Sequence, residues 1–261
     1  YASKCLGIHA TIVMPRSTPI AKVQATAGYG AEVVLAGDCY DEAYAKAVSL
    51  QAESGAVFIH PFDDEDVIAG QGTIAYEILH DLPNVDVIVV PAGGGGLLSG
   101  IASYVKAINP RIQVVGIQAE GANAIVKSFQ KKKHCTTKGV NTIADGTAVK
   151  TPGEKICPYV QKNIDGIITV EDEELIVAFL DLMENHKMVV ENSGLLTVAA
   201  LKKMDIQGKK VVSILSGGNM DVITISSVVQ HGLIQRGRVF TVSVELPDRP
   251  AELLHVADVI A

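Results

Sequence analysis

Four consecutive glycines, Gly93 to Gly96, stand in the stretch VDVIVVPAGGGGLLSGI between an apolar β-branched run and a helix-like segment. Glycine loses more backbone entropy on folding than any other residue, so a run of four is costly unless something must approach the main chain itself. A glycine-rich turn between a strand and a helix gathers unpaired N–H groups and the positive end of a helix dipole. That is the chemistry of an anion site, and of a phosphate in particular. The spacing argues against two common phosphate loops. Leu97 and Leu98 occupy positions that GxxxxGK[ST] needs, and Leu98 stands where GxGxxG requires its third glycine. A tight turn demanded only by packing is the competing explanation.

A second stretch, VVSILSGGNMD (Val211 to Asp221), also ends a strand in glycines and adds the hydroxyl of Ser216. Ligands of open α/β sheets bind outside the carboxyl ends of the strands, so the two stretches can face one cleft. The seven histidines show no ligand spacing and read as structural. Cys5, Cys39, Cys135 and Cys157 form no CxxC pair and read as small core residues of a reducing, cytoplasmic setting. Net charge is −7, and the densest basic run, Lys131 to Lys133, lacks interleaved aromatics, which argues against nucleic acid as a partner. Residues 87 to 105 are uncharged, yet Pro91 and the glycines break them into strand, loop and helix rather than a membrane span.

The elements that must position these residues alternate. YASKCLG reads as the end of a helix capped by Gly7. HATIVMP, AEVVLAG and AVFIHP read as strands, separated by a helix with Thr18 as N-cap and Pro19 at its first position, and by the amphipathic helix DCYDEAYAKAVSLQAES. TIAYEILHDL, LLSGIASYVKAI, ELIVAFLDLMENH and SGLLTVAALKKM read as further helices, and VDVIVVP, IQVVGIQAE and GKKVVSILSGGN as further strands. Short apolar strands alternating with helices predict parallel sheet covered on both faces. GRVFTVSVELPDRPAELLHVADVIA predicts a strand of period two, a turn and a helix, too little to bury its own apolar face. The chain is therefore expected to be part of a longer one.

The segments MPRSTPIAKVQATAGYGAEVVL, HPFDDEDVIAGQGT, VVPAGGGGLLSGIA, TIADGTAV, SGLLTVAAL and LSGGN, in this order, resemble the threonine dehydratases, which are fold type II pyridoxal-phosphate enzymes close to serine racemase. The resemblance implies two open twisted parallel-sheet α/β domains of the tryptophan synthase β-like class. The remainder of a small domain would span residues 1–62 and a large cofactor domain 63–231. Residues 238–261 resemble the first strand and helix of an ACT regulatory domain, with Ala251 where that motif usually has glycine. It further implies pyridoxal 5′-phosphate as cofactor, its phosphate on Gly93, Gly94, Gly95, Gly96 and the adjoining Leu97 amide. Ser216 would meet the pyridine nitrogen, with Gly146 and Glu191 along the ring edge. A neutral hydroxyl at that nitrogen makes a weaker electron sink than a carboxylate would, which suits β-elimination of water.

The implied activity is deaminating dehydration of L-threonine, and of L-serine, to a 2-oxo acid and ammonia by a homodimer or homotetramer, with an amino acid or nucleotide as effector. The family's lysine segment, SFKxRGA-like, and its SxGNHxQ-like segment do not occur in the chain, so no catalytic residue is assigned and the chain alone is expected to be inactive. Lys22 lies in a different context and reads as a solvated helix lysine. Serine racemase-like relatives hold a cation with a glutamate, a carbonyl and an aspartate. Glu120 and Ala124 match the first two positions but Val126 replaces the third, so no metal is expected there. Serine racemase or serine dehydratase activity, and a non-catalytic amino-acid sensor on the same scaffold, remain open alternatives. A nicotinamide-dependent dehydrogenase is disfavoured by the missing GxGxxG.

Overall fold

In the computed structural model the described residues are 1–38, 40–247, 249 and 251–260. The chain opens with α1 (Ala2–Leu6), β1 (Thr11–Met14), α2 (Ile20–Gly28), β2 (Glu32–Leu35) and α3 (Tyr40–Ser54). Helix α1 is closed by Gly7 in the left-handed region, as the sequence predicts. Strands β1 and β2 pair in parallel, Thr11 opposite Glu32 through Met14 opposite Leu35. Then follow α4 (Glu65–Asp81), β3 (Val87–Pro91), α5 (Gly96–Ile108), β4 (Gln113–Ala119), α6 (Ala124–Lys131), α7 (Ile156–Asn163) and β5 (Gly166–Val170). The remaining elements are α8 (Asp172–Asp181), α9 (Asn192–Ala200), β6 (Val211–Ser213), α10 (Val222–Gln235) and α11 (Glu252–Ile260). Strands β3 to β6 form a second sheet in the order β5-β4-β3-β6, parallel throughout.

This sheet is covered on both faces, and the alternation of β3 shows why its sequence is continuously apolar. Val87 and Val89 pack with Leu175 and Phe179 of α8 and Leu195 and Leu196 of α9. Ile88 and Val90 pack on the opposite side with Ile68 of α4 and with Leu98 and Ile101 of α5. Every residue of β3 is buried, as a central parallel strand requires. Burying each large aliphatic side chain here contributes about 1.5–3 kcal/mol. No helix among the described residues is long and apolar enough to cross a membrane.

Several local expectations are corrected. Ala56 to Pro61 is not a strand, because among the described residues nothing pairs with it, and Val57 and Ile59 are 89% and 72% exposed. Residues 238–247 likewise form no strand and lie exposed, for want of a pairing neighbour. The helix after them forms, and Ala251 takes φ 73°, the left-handed conformation that suits glycine at that motif position. Asp248 and Pro250 of the same stretch lie outside the described residues.

Helix α2 begins at Ile20, with Pro19 rather than Thr18 as its cap. Helix α4 begins eight residues before Thr73, since Asp64 Oδ1 accepts the N–H groups of Asp66 and Val67. Within the added turns Gly72 packs against the Gly100 carbonyl of α5. Helices α6, α7 and α10 and strand β5 are additions to the elements expected from the sequence. The run VITISSVVQHGLIQ of α10 is rich in β-branched residues that favour strands, and it becomes helix once Asp221 caps it through Thr224 N–H at 2.7 Å. The cysteines are not core residues: Cys5 is exposed and Cys135 and Cys157 are half-buried, all free, while Cys39 lies outside the described residues.

Phe179 is fully buried between α8, α9 and the sheet. Phe179→Ala should lower unfolding free energy by ~3–5 kcal/mol. Val57→Ala, at an exposed site, should change it by less than ~0.5 kcal/mol, both read by urea denaturation.

Candidate active site

Strands β3 and β6 are neighbours, with Val87 opposite Val211 and Val89 opposite Ser213. Ile214 N–H extends the ladder to Val89 O at 3.1 Å. Both glycine-bearing loops therefore leave the same carboxyl edge side by side. Contact continues between them: Thr147 lies against Gly93, Thr147 Oγ1 is 3.4 Å from Ser193 Oγ, and the next residue, Gly194, lies against the Ser216 carbonyl.

In the tetraglycine loop the carbonyls and the amides are treated oppositely. Gly93 O accepts from Gln118 Nε2 at 3.5 Å, Gly94 O from Gly153 N–H at 3.4 Å, and Gly95 O from Ser99 N–H at 2.9 Å. Among the described residues no acceptor meets the N–H groups of Gly93, Gly94, Gly95, Gly96, Leu97 or Leu98. Packing also demands glycine at these positions. A Cβ on Gly93 would lie 2.9 Å from Thr147 Cα, one on Gly96 2.9 Å from Phe62 O, and one on Gly94 inside the Phe62 ring. Gly95, at φ 101°, holds a conformation that other residues rarely adopt. Glycine thus lets the walls close in while leaving a row of free donors at the start of α5.

The other predicted residues lie around the same edge. The segment carrying Gly146 is tied down by Asp172, which accepts from Thr142 Oγ1 at 2.5 Å and from Ile143 N–H at 2.9 Å. Asn192 Nδ2 donates to Ile143 O at 3.0 Å. A Cβ on Gly146 would lie 3.2 Å from Glu191 Oε1. Glu191 Oε2 accepts from Asn219 N–H at 3.1 Å, and its carboxylate lies against Gly217, which stands at φ 88°. Burial pushes the Glu191 carboxyl above its ordinary range and nearby Asp145 adds to this, while the Asn219 N–H and the Lys22 ammonium oppose it. The Ser216 hydroxyl makes no hydrogen bond among the described residues and is half-buried. Lys22 is exposed on α2.

Of the residues compared with a cation site, Glu120 is exposed. Ala124 O accepts from Ser128 Oγ at 2.8 Å, and Val126 is buried with its N–H on Gln118 Oε1. Sequence reasoning missed Phe62, Gln118, Thr147 and Ser193. Phe62, Thr147 and Ser193 lie within the segments HPFDDEDVIAGQGT, TIADGTAV and SGLLTVAAL without having been singled out, and Gln118, an amide side chain inside an apolar strand, is fully buried.

The family model described as pyridoxal-phosphate dependent enzyme matches residues 1–217, and the chain belongs to that family. The chain is 44% identical over 261 residues to an L-threonine ammonia-lyase of Thermotoga maritima, covering 100% of itself and 65% of that protein. It is 46% identical over 236 residues to a catabolic L-threonine dehydratase of Staphylococcus aureus, covering 88% of itself and 68% of that protein. The processed threonine deaminase isoform 2 of Solanum lycopersicum superposes with a TM-score of 0.82 at 35% identity, over 88% of this chain and 68% of that one. Maize serine racemase does so at 0.81 and 34%, over 90% and 74%. The fold is thus that of the fold type II pyridoxal-phosphate enzymes. The chain spans 65% of the length of the first curated relatives it matches.

Because the folded Glu191 binds its proton more tightly than the unfolded one, its contribution to stability falls as pH rises from the unfolded value through the raised folded one. Glu191→Gln keeps the Asn219 contact and removes the buried charge. It should raise Tm near neutrality by ~1–3 °C, a gain that fades on acidification below the carboxylate range, as calorimetry across pH would read.

Proposed function

We propose that the protein catalyses the pyridoxal-phosphate-dependent deaminating dehydration of L-threonine, and of L-serine, to 2-oxobutanoate or pyruvate and ammonia. The observation that carries this reading is the row of unpaired amides from Gly93 to Leu98, a donor set suited to a phosphate monoester, opening on the same cleft as Glu191 and Ser216. The names of the relatives in the preceding section support the choice of threonine.

The amides of Gly93, Gly94, Gly95, Gly96 and Leu97 hold the phosphate, aided by the dipole of α5. Ser216 offers its hydroxyl to the pyridine nitrogen, and Gly146 and Glu191 flank the ring. When bound, pyridoxal phosphate supplies the electron sink that acidifies the α-hydrogen of an amino acid. A serine hydroxyl does not hold the ring nitrogen protonated as a carboxylate would, so Ser216 moderates that sink. Moderate stabilisation suffices for loss of a β-hydroxyl and disfavours transamination. No residue of this chain is assigned as the catalytic lysine.

Residues 1–62 and 63–231 form the small and large domains in this reading, and 238–261 belong to an ACT domain that binds an amino acid or a nucleotide. The enzyme is a cytoplasmic homodimer or homotetramer. The likeness to serine racemase favours a second reading, interconversion of serine enantiomers at the same cleft.

In the presence of pyridoxal phosphate, the full-length protein should release 2-oxobutanoate from L-threonine, read by a coupled 2-oxo acid assay. With L-serine as substrate, formation of D-serine without any 2-oxo acid would favour the racemase instead. Ser216→Ala should lower kcat by ~2–10-fold, the worth of one hydrogen bond. Ser216→Asp should raise the share of transamination, visible as pyridoxamine phosphate by chromatography.

A further inference from the structure

One carboxylate next to the glycine loop is committed entirely to main chain. Asp63 Oδ2 accepts the N–H of Glu154 at 3.1 Å and its Oδ1 accepts that of Lys155 at 3.0 Å, at the entry to α7. Gly153, just before them, lies so close that a Cβ there would overlap the Asp63 carboxylate. Its own N–H donates to Gly94 O at 3.4 Å. Asp63 is set in place by His60, whose Nδ1 accepts from Phe62 N–H at 3.3 Å and from Asp63 N–H at 2.8 Å. This turn lays the Phe62 ring over Gly94 and brings the Phe62 carbonyl against Gly96. The Phe62 ring in turn stands edge-on to His60 at 4.6 Å and 5.9 Å from the Tyr40 ring.

A peptide group is planar, so holding the Gly94 carbonyl in one direction points the Gly95 N–H in the other. The Gly153 N–H holds that carbonyl, and the position of Gly153 depends on Asp63. We propose that Asp63 is a positioning residue that aims the Gly95 N–H, and that it thereby sets the loop's preference for a phosphate monoester; this rests on the reading that the loop holds a phosphate. Two N–H donors meeting two carboxylate oxygens cannot both be satisfied by an amide, whose NH2 would face one of them.

The test compares pyridoxine 5′-phosphate with pyridoxine, which lack the aldehyde and so form no lysine adducts, by equilibrium dialysis of the full-length protein. Wild type should prefer the phosphate ester. Asp63→Asn should weaken binding of pyridoxine 5′-phosphate by ~10-fold and that of pyridoxine by less than ~2-fold. A residue needed only for folding would weaken both alike, and an unchanged preference in Asp63→Asn overturns the proposal while leaving the phosphate reading intact. A wild type without any preference overturns the phosphate reading and this inference with it. If Asp63→Asn does not fold, as judged by circular dichroism, Asp63→Ser is measured in its place and the same ratio decides.

Discussion

The pairing of β3 with β6 is the interaction on which the site depends. The two strands are more than a hundred residues apart in the chain, yet parallel hydrogen bonding from Val87–Val211 to Val89–Ser213 aligns their carboxyl ends. Parallel strands deliver all their following loops to one edge, and a central strand buried on both faces cannot slip register without exposing apolar side chains. Burial of β3 between α8 and α9 on one face and α4 and α5 on the other fixes that register. The cleft is a consequence of the core.

Within the cleft, the two halves of the loop's peptides are treated oppositely. The carbonyls of Gly93, Gly94 and Gly95 are taken up by Gln118, Gly153 and Ser99, whereas the N–H groups are left over. Leaving backbone donors without partners is costly in a folded protein, where nearly all buried backbone groups are paired. Such a row persists because three carbonyl contacts and the steric fit of Thr147, Phe62 and Ile156 hold the loop in place. The same close packing that requires glycine leaves the N–H groups free, so the packing explanation does not compete with the proposed anion site.

Most of the architecture is legible from pattern. The parallel, doubly covered sheet follows from short apolar strands alternating with helices, and Gly93–Gly96, Gly146, Glu191 and Ser216 lie around one edge of it. The failures have common physical causes. Ala56–Pro61 is a strand-like apolar run and residues 238–247 alternate, but among the described residues neither has a pairing neighbour, and a strand exists only through its ladder. Helix α10 has the opposite history, a β-branched run made helical by its Asp221 cap and by packing of Val228 into the core.

The sequence by itself determined the types of chemistry present: a glycine run able to expose amides, a second glycine turn with a hydroxyl, and the period that places both at strand ends. These are local properties, set by side-chain volume and backbone freedom. Only the tertiary structure decided which amides remain unpaired, that Glu191 is half-buried against Gly217 with a raised carboxyl pKa, and that Asp63 braces Gly153 beneath the loop. Those outcomes depend on hydrogen bonds and contacts between segments distant in the chain, whose partners no local pattern specifies.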